Sequence, residues 1–253
     1  MRKKYKLKCE YCGNEFESTH SDSKTCSRHC ANKLRYENNV DKNVFENWSS
    51  ESAYYFGLIM SDGCLIHNKD RHLIVLTMND FEILNILHEY TECKRKIYKE
   101  NSSYSLRYWN EDAVSILRKY ELTERKSLVK KYPLNLPHEY QPDFIRGVFD
   151  GDGSIIYRKT KWNTYPQISI VSGSEAFAKG LQFMLREFGI ESCIYESDRT
   201  KNTNYYLKVI KFNEVKKFKS LIYNKETSFK LDRKYEKFKF LDSLSKIYSD
   251  VAS

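Results

Sequence analysis

The sequence predicts an α+β protein: two pseudo-symmetric half-domains, each running αββαββα, behind a small N-terminal metal-binding module. Three observations predict it. A short string recurs ninety residues on, the order of elements around each copy is the same, and four cysteines stand in two close pairs near the start. The string is Gly57-Leu58-Ile59-Met60-Ser61-Asp62-Gly63 in its first copy and Gly147-Val148-Phe149-Asp150-Gly151-Asp152-Gly153 in its second. Each copy closes an amphipathic run of helical spacing and opens an apolar-alternating one.

The N-terminal module is read as residues 1–37. Cys9-x2-Cys12 runs straight into Gly13, and Cys26-x3-Cys30 follows after thirteen residues. Zinc takes four soft ligands in a tetrahedron, and a C-x2-C knuckle supplies two of them from one tight turn that a glycine eases. The alternatives are a disulfide pair, disfavoured in a reducing compartment, and unrelated thiols. His20 and His29 are the residues that would replace a cysteine ligand. So short a segment cannot bury enough apolar area to fold unaided, so structural Zn²⁺ would supply most of its stability. Cys64, Cys93 and Cys193 stand alone and are expected to be buried small apolar residues. Asn38-Asn39-Val40-Asp41-Lys42-Asn43 opens a polar linker, residues 38–48.

The first half-domain is read as 49–135. Residues 51–61 carry apolar residues at helical spacing, 64–67 and 72–78 form a hairpin, and Asp80 caps a helix over 81–90. A second hairpin spans 95–99 and 104–109, and a helix over 111–119 closes the unit. The second half-domain is read as 136–253 and repeats the order. Its elements are a helix from 141 through 149, strands at 154–158 and 167–171, a helix over 175–188 capped by Ser174, strands at 191–196 and 205–210, a helix over 213–222, and a C-terminal helix around 230–241. Gly57 with Ser61, and Gly147 with Gly151, place small residues one turn apart on each opening helix, which lets two backbones approach closely. Close approach brings Asp62 and Asp152 together. Gly63 and Gly153 are expected to let the chain turn sharply out of each helix.

Composition narrows the partner. The 253 residues carry a net charge of +9, an isoelectric point near 9.0 and 15% aromatic residues, twenty of them Tyr. That suits a partner that is anionic and able to stack, which nucleic acid is. A mean hydropathy of -0.70 and the lack of an apolar run of about eighteen residues argue against a membrane span. The basic start is not followed by an apolar stretch, so the expected location is intracellular, with the cysteines reduced.

Tyr55-Phe56-Gly57-Leu58-Ile59-Met60-Ser61-Asp62-Gly63 and Ile145-Arg146-Gly147-Val148-Phe149-Asp150-Gly151-Asp152-Gly153 resemble the two motif copies of single-chain LAGLIDADG homing endonucleases. The resemblance runs from about Glu51 to the C-terminus. It implies a monomer in which two antiparallel sheets form a saddle over double-stranded DNA, with the motif helices as the central seam. Met60 departs from the acidic sixth position of the motif and Asp150 keeps it. The eighth-position Asp that the family uses for catalysis is present twice.

Phosphodiester hydrolysis needs an activated water and neutralised charge, and Mg²⁺ or another divalent cation on carboxylates supplies both. Asp62 and Asp152 are the expected metal ligands, one for each strand cut. The resemblance adds the carbonyls of Ser61 and Gly151. Arg107 and Lys208, on matching strands, are candidates to stabilise the transition state, and the family commonly places a Lys there. Base reading is expected from outward hairpin positions. In the first half these are Asn68, Lys69, Arg71, Lys99, Asn101 and Tyr104. In the second they are Tyr157, Arg158, Lys159, Lys161, Trp162, Asn163, Arg199, Lys201, Asn202 and Asn204.

The leading reading is a site-specific double-strand DNA endonuclease with a long, largely asymmetric target. The second is a non-cleaving nucleic-acid binder on the same scaffold, an RNA maturase for its host intron or a transcription regulator. Against a third reading, a zinc enzyme working through the cysteines, stands the chemistry: four Cys ligands leave no open coordination position.

Overall fold

The computed structural model describes residues 3–68, 71–161, 164–197 and 203–251. Strands β1 (Tyr5–Lys8) and β2 (Glu15–Ser18) form a hairpin, followed by helix α1 (Arg28–Asn39). Gly13 follows the Cys knuckle with φ +74°, a conformation that only glycine adopts freely. Ser27 caps α1 by accepting from the Cys30 amide.

The first half runs α2 (Ser50–Asp62), β3 (Gly63–Asn68), β4 (Arg71–Met78), α3 (Phe81–Tyr90), β5 (Tyr98–Glu100), β6 (Ser103–Trp109) and α4 (Glu111–Lys119). The second runs α5 (Gln141–Asp152), β7 (Gly153–Lys159), β8 (Thr164–Ser172), α6 (Glu175–Glu187), β9 (Cys193–Ser197), β10 (Asn204–Val209) and α7 (Phe212–Ile222). A short α8 (Asp232–Tyr235) and α9 (Lys237–Val251) end the chain, so the single helix expected near 230–241 is broken and extends further. The two four-stranded antiparallel sheets have the same order, β3-β4-β6-β5 and β7-β8-β10-β9. The predicted duplication is therefore the architecture.

Burial explains why α2 and α5 lie at the centre. Ser52 to Met60 are all buried, as are Gln141 to Asp150. A helix buried all round must be wrapped by other elements. Here each helix covers the other and the inner face of its own sheet, where Ile74, Leu76, Leu106 and Tyr108 in one half match Ile168, Ile170, Leu207 and Val209 in the other. Strand alternation then leaves a second, open face on each sheet.

Four expectations need correction. The stretch 38–48 is no solvated linker, because Asp41, Val44 and Phe45 are buried in the first half. Cys64 and Cys193 are exposed, and only Cys93 of the three single cysteines is buried. They sit at the starts of β3 and β9, on the open side of the pleat, where no helix covers them. Asp80 precedes α3 without capping it, since its carboxylate accepts both Arg233 donors, at 2.6 and 2.8 Å. Finally, β5 begins at Tyr98, because Arg95 turns back to the Asp41 carboxylate.

Candidate active site at the helix seam

The seam is set by glycine contacts. A Cβ on Gly57 would stand 2.2 Å from the Phe144 carbonyl oxygen, and one on Gly147 would stand 2.1 Å from that of Tyr54. No larger residue fits at either position. One turn later Ser61 Oγ donates to Gly57 O at 3.2 Å and lies 3.4 Å from Val148 O, so it spans both helices. A Cβ on Gly151 would stand 2.3 Å from Ser61 Cβ and 3.1 Å from Asp62 Oδ2. The Asp62 carboxylate therefore lies against the backbone of the opposite motif.

Gly63 and Gly153 do not serve the turn expected of them. Their φ values of -77° and -92° are ordinary extended backbone. What excludes a side chain is space: a Cβ would come within 2.6 Å of Ile59 O in one helix and 2.4 Å of Phe149 Cδ2 in the other.

Three lysines that are not among the expected site residues surround the aspartates; Lys234 ends a stretch, 225–234, that the sequence marks for packing or phosphate clamping and not for catalysis. Lys126, Lys130 and Lys234 are each almost fully buried. Lys126 Nζ donates to Ser61 O at 3.1 Å; Lys130 Nζ donates to Met60 O at 2.9 Å and reaches Asp152 Oδ2 at 3.3 Å. Lys234 Nζ donates to the carbonyls of Phe149, Asp150, Gly151 and Gly153 at 2.8, 2.5, 3.1 and 2.7 Å. The last carbonyls of a helix lack internal partners and carry the negative end of its dipole, so an ammonium is well placed there. The signal was present in the sequence as Thr123-x2-Lys126-x3-Lys130 and Thr227-x2-Lys230-x3-Lys234, a second repeat with its own spacing.

Charge at the seam is finely balanced. Burial first, and then Asp152, raises the Asp62 pKa, while Lys234, Lys126 and Lys130 oppose the rise. Burial lowers both Lys126 and Lys234 to about 8. Asp150, by contrast, faces inward. Its Oδ2 accepts from Tyr54 Oη at 2.9 Å and from the Leu231 amide at 2.8 Å, and burial raises its pKa to about 6. Met60, its counterpart, is equally buried, so the sixth position packs the seam in both halves.

Arg107 and Lys208 take equivalent places on the open faces. The Arg107 guanidinium lies 4.5 Å from the Tyr98 ring and 3.3 Å from Glu100, and Lys208 Nζ lies 4.6 Å from the Tyr195 ring. The cations that act on Asp62 are the three buried lysines instead. Arg158 and Asn204 also occupy open-face positions by strand parity, and Asn101 turns the β5–β6 hairpin with φ +52°. Asn68 and Arg71 pair at the β3–β4 tip, while Lys159 and Lys161 are exposed at the end of β7. Tyr104 points the other way, its ring packed 5.0 Å from Phe81, and Lys99 shares its side of the pleat. Tyr157 is also turned inward: its hydroxyl donates to Lys237 O at 2.6 Å. The expectation that Tyr104, Lys99, Tyr157 and Lys159 take the outward side of the pleat misjudged strand parity by one residue, although Lys99 and Lys159 are solvent-exposed. Lys69, Trp162, Asn163, Arg199, Lys201 and Asn202 lie outside the described residues.

In the N-terminal module, Cys9, Cys12, Cys26 and Cys30 converge with all four Sγ atoms within 4.8 Å of one another. Two of the separations are 3.6 and 3.5 Å. A tetrahedral zinc with arms of about 2.3 Å sets edges of about 3.8 Å, so the four thiols can hold that ion. At the seam, two carboxylates beside a desolvated surface suit a hard cation with oxygen ligands. The Ser61 and Gly151 carbonyls already accept from Lys126 and Lys234, which leaves each one further lone pair. No helix among the described residues is long and apolar enough to cross a membrane.

Comparison with known proteins gives the same fold. Residues 139–223 match the profile of the LAGLIDADG-like domain, and residues 51–127 match that of the WhiA LAGLIDADG-like domain. The chain is 31% identical over 206 residues to a probable translation initiation factor IF-2 of Methanocaldococcus jannaschii, covering 73% of this chain and 16% of that protein. It is 22% identical over 190 residues to DNA-directed RNA polymerase subunit Rpo1C of the same organism, covering 72% and 20%. It thus spans only about a sixth to a fifth of the length of these curated relatives. Among solved structures, the homing endonuclease I-DmoI in complex with DNA and Mn is similar with a TM-score of 0.51 at 20% identity, over 72% of this chain and 100% of that one. The meganuclease I-SmaMI bound to uncleavable DNA is similar with a TM-score of 0.54 at 14% identity, over 85% and 92%. At these identities the likeness is one of fold.

Proposed function

Since the chain belongs to the LAGLIDADG family, with both motif copies in one polypeptide, we propose that it is a site-specific DNA endonuclease that cuts both strands of a long, largely asymmetric duplex target. The observation that carries this reading is the pair Asp62 and Asp152, brought to one seam by glycine contacts and ringed by buried lysines. A fold kept only for binding would have no use for two mutually repelling carboxylates at its least tolerant point.

In this reading Asp62 and Asp152 hold the divalent cations, Mg²⁺ being the suited ion, and the carbonyls of Ser61 and Gly151 are the adjoining oxygens. Such an ion supplies an activated water and neutralises charge on the phosphate. The rest falls to the chain. Lys130 and Lys126 fix the C-terminal end of α2 and Lys234 that of α5, so each carboxylate leaves its helix in a set direction. Their ammonium groups also add positive field where the scissile phosphates would develop charge. Arg107, Lys208, Arg158 and Asn204 on the open faces are placed to meet the DNA backbone and bases, with Asn68, Lys69, Arg71, Asn101, Lys159, Lys161, Trp162, Asn163, Arg199, Lys201 and Asn202 as further contacts. Zn²⁺ in the Cys module is structural.

The relatives' names fit a carried unit. A probable translation initiation factor and a polymerase subunit differ in their named roles and each match nearly three quarters of this chain, which supports reading the matched stretch as a unit apart from either role. We take it as a homing element of the kind housed in an intron or intein.

A second reading has its own observation: the first half matches a WhiA-type domain, whose members bind DNA without cleaving it. One experiment separates the two. Duplexes that the protein binds are selected from a randomised pool and incubated with it across a Mg²⁺ titration. Double-strand scission that requires the cation is expected; a selected duplex that stays bound and intact throughout supports the WhiA-like reading.

A further inference from the structure

The first half has a gap in its sheet that the second does not. Strand β5 is three residues long and pairs only with Ser103 to Ser105, whereas β9 pairs as far as Lys208. Beyond β5, the edge of β6 is covered by the chain leaving the cysteine module. The Asp41 amide donates to Trp109 O at 3.0 Å, and the Trp109 amide returns a bond to Asp41 Oδ2 at 2.6 Å. Asp41 Oδ1 accepts from the Lys94 amide at 2.8 Å, and Asn110 Nδ2 donates to Asp41 O at 2.8 Å. Asp41 is 1% exposed, so this joint is part of the half-domain.

The module is thereby held against the open face. Leu106 and Tyr108 face the helices, so Arg107 and Trp109 lie on the opposite side of β6. There the Trp109 ring meets Tyr36 of α1 edge-on at 5.3 Å, with Arg95 over it at 4.7 Å. Trp109 shares a row with Leu73 and Ile66, two positions further from Asp62 than the row of Arg107, Val75 and Cys64. The module thus begins where the open face of the first sheet ends. The module is basic on both its parts, with Lys6 and Lys8 exposed on the hairpin. Lys4 and Lys24 pair with Glu17 and Glu10 in the hairpin region, while exposed Arg28, Lys33 and Arg35 on α1 face a single acid on that helix, Glu37.

We propose that the cysteine module is a fixed extension of the first half's DNA face, gripping the phosphates that flank the first half-site through Arg28, Lys33 and Arg35. A solvated charged face on a tethered finger would need neither the buried Asp41 joint nor the Tyr36–Trp109 contact. The inference rests on the DNA-binding reading above. It gives the footprint a polarity that the pseudo-symmetric body alone does not supply.

The test uses the full zinc-loaded chain on a selected duplex, with hydroxyl-radical footprinting and binding measured against salt. Arg158→Glu, on the second sheet, marks which flank belongs to the second half. The prediction is that the footprint extends further on the other flank. In Arg28→Glu/Lys33→Glu/Arg35→Glu that flank alone is lost, and the slope of log K against log salt falls by roughly 2–3. Arg28→Gln/Lys33→Gln/Arg35→Gln, gentler on folding and checked for retained zinc, shows the same loss. An unchanged footprint and slope in the Gln variant overturns the proposal, as does loss of duplex-RNA binding with DNA binding intact. If the unaltered chain protects no duplex at all, the DNA-binding reading itself fails and this extension falls with it.

Discussion

Gly57 and Gly147 set how close the two aspartates can come. Each would place a methyl group near 2 Å from a backbone oxygen of the other helix, and backbone cannot move aside as a side-chain tip can. Gly57→Ala is expected to cost about 3 kcal/mol in denaturant unfolding, by forcing α2 and α5 apart. Gly189→Ala is the comparison: its Cβ meets nothing within 4 Å, but φ is +70°, so the expected cost is only about 1 kcal/mol. The sequence already pointed to these packing glycines, since small residues one turn apart on both motif helices have one plain use. It was silent on Gly63 and Gly153, because a Gly after a helix reads the same whether it serves a turn or merely avoids a clash. Cys93 shows the same limit. Nothing local distinguishes it from Cys64 or Cys193, yet its Sγ lies 3.6 Å from Asp41 Oδ2 in a buried site, and burial lifts its pKa to about 12. It therefore stays a thiol well past neutrality. With zinc protecting the four module cysteines, alkylation at pH 8.5 followed by peptide mass spectrometry is expected to label exposed Cys64 and Cys193 and to spare Cys93 until the chain unfolds.

Elements were legible where a period and a boundary residue agreed. The helix expected over 175–188 behind Ser174 and the strand expected at 154–158 fall within one residue of those observed, Glu175–Glu187 and Gly153–Lys159, because local preference and burial coincide there. The stretch 38–48 misleads because its polar composition hides two facts, a buried carboxylate that accepts from Cys93, Lys94, Arg95 and Trp109, and Phe45 in the core. The lysines of the seam were missed for the converse reason. A lysine in a charged run reads as solvated, and only the matched Thr-x2-Lys-x3-Lys spacing marks Lys130 and Lys234 as equivalents. The module and its joint are expected to come apart on chelation. Removing the metal should abolish amide protection over 5–36, as its small core cannot persist alone. The amides of Lys94 and Trp109, bonded to Asp41, should remain protected, because that carboxylate belongs energetically to the first half. Hydrogen exchange with and without a chelator resolves the two sets; loss of both together would place the joint within the module.

At the scale of the molecule, the duplication is what makes the reading possible. An Asp-Gly pair alone is a common turn, but two copies in matching places require two helices that meet, and the glycines fix where. The halves then differ in ways that matter. Lys126 and Lys130 both serve α2, and Lys130 also reaches across to Asp152, while Lys234 alone serves α5. One half carries the module in place of the end of an edge strand. A symmetric pair of carboxylates in asymmetric surroundings should therefore cut two strands independently, at unequal rates. The most direct measurement follows both strands of a selected, end-labelled duplex with Mg²⁺ present. Asp62→Asn and Asp152→Asn are each expected to bind the duplex and to nick it on one strand only, the two variants leaving opposite strands intact, and the double variant to bind without cutting. Cleavage of both strands by either single variant would contradict the assignment of one aspartate to each cut.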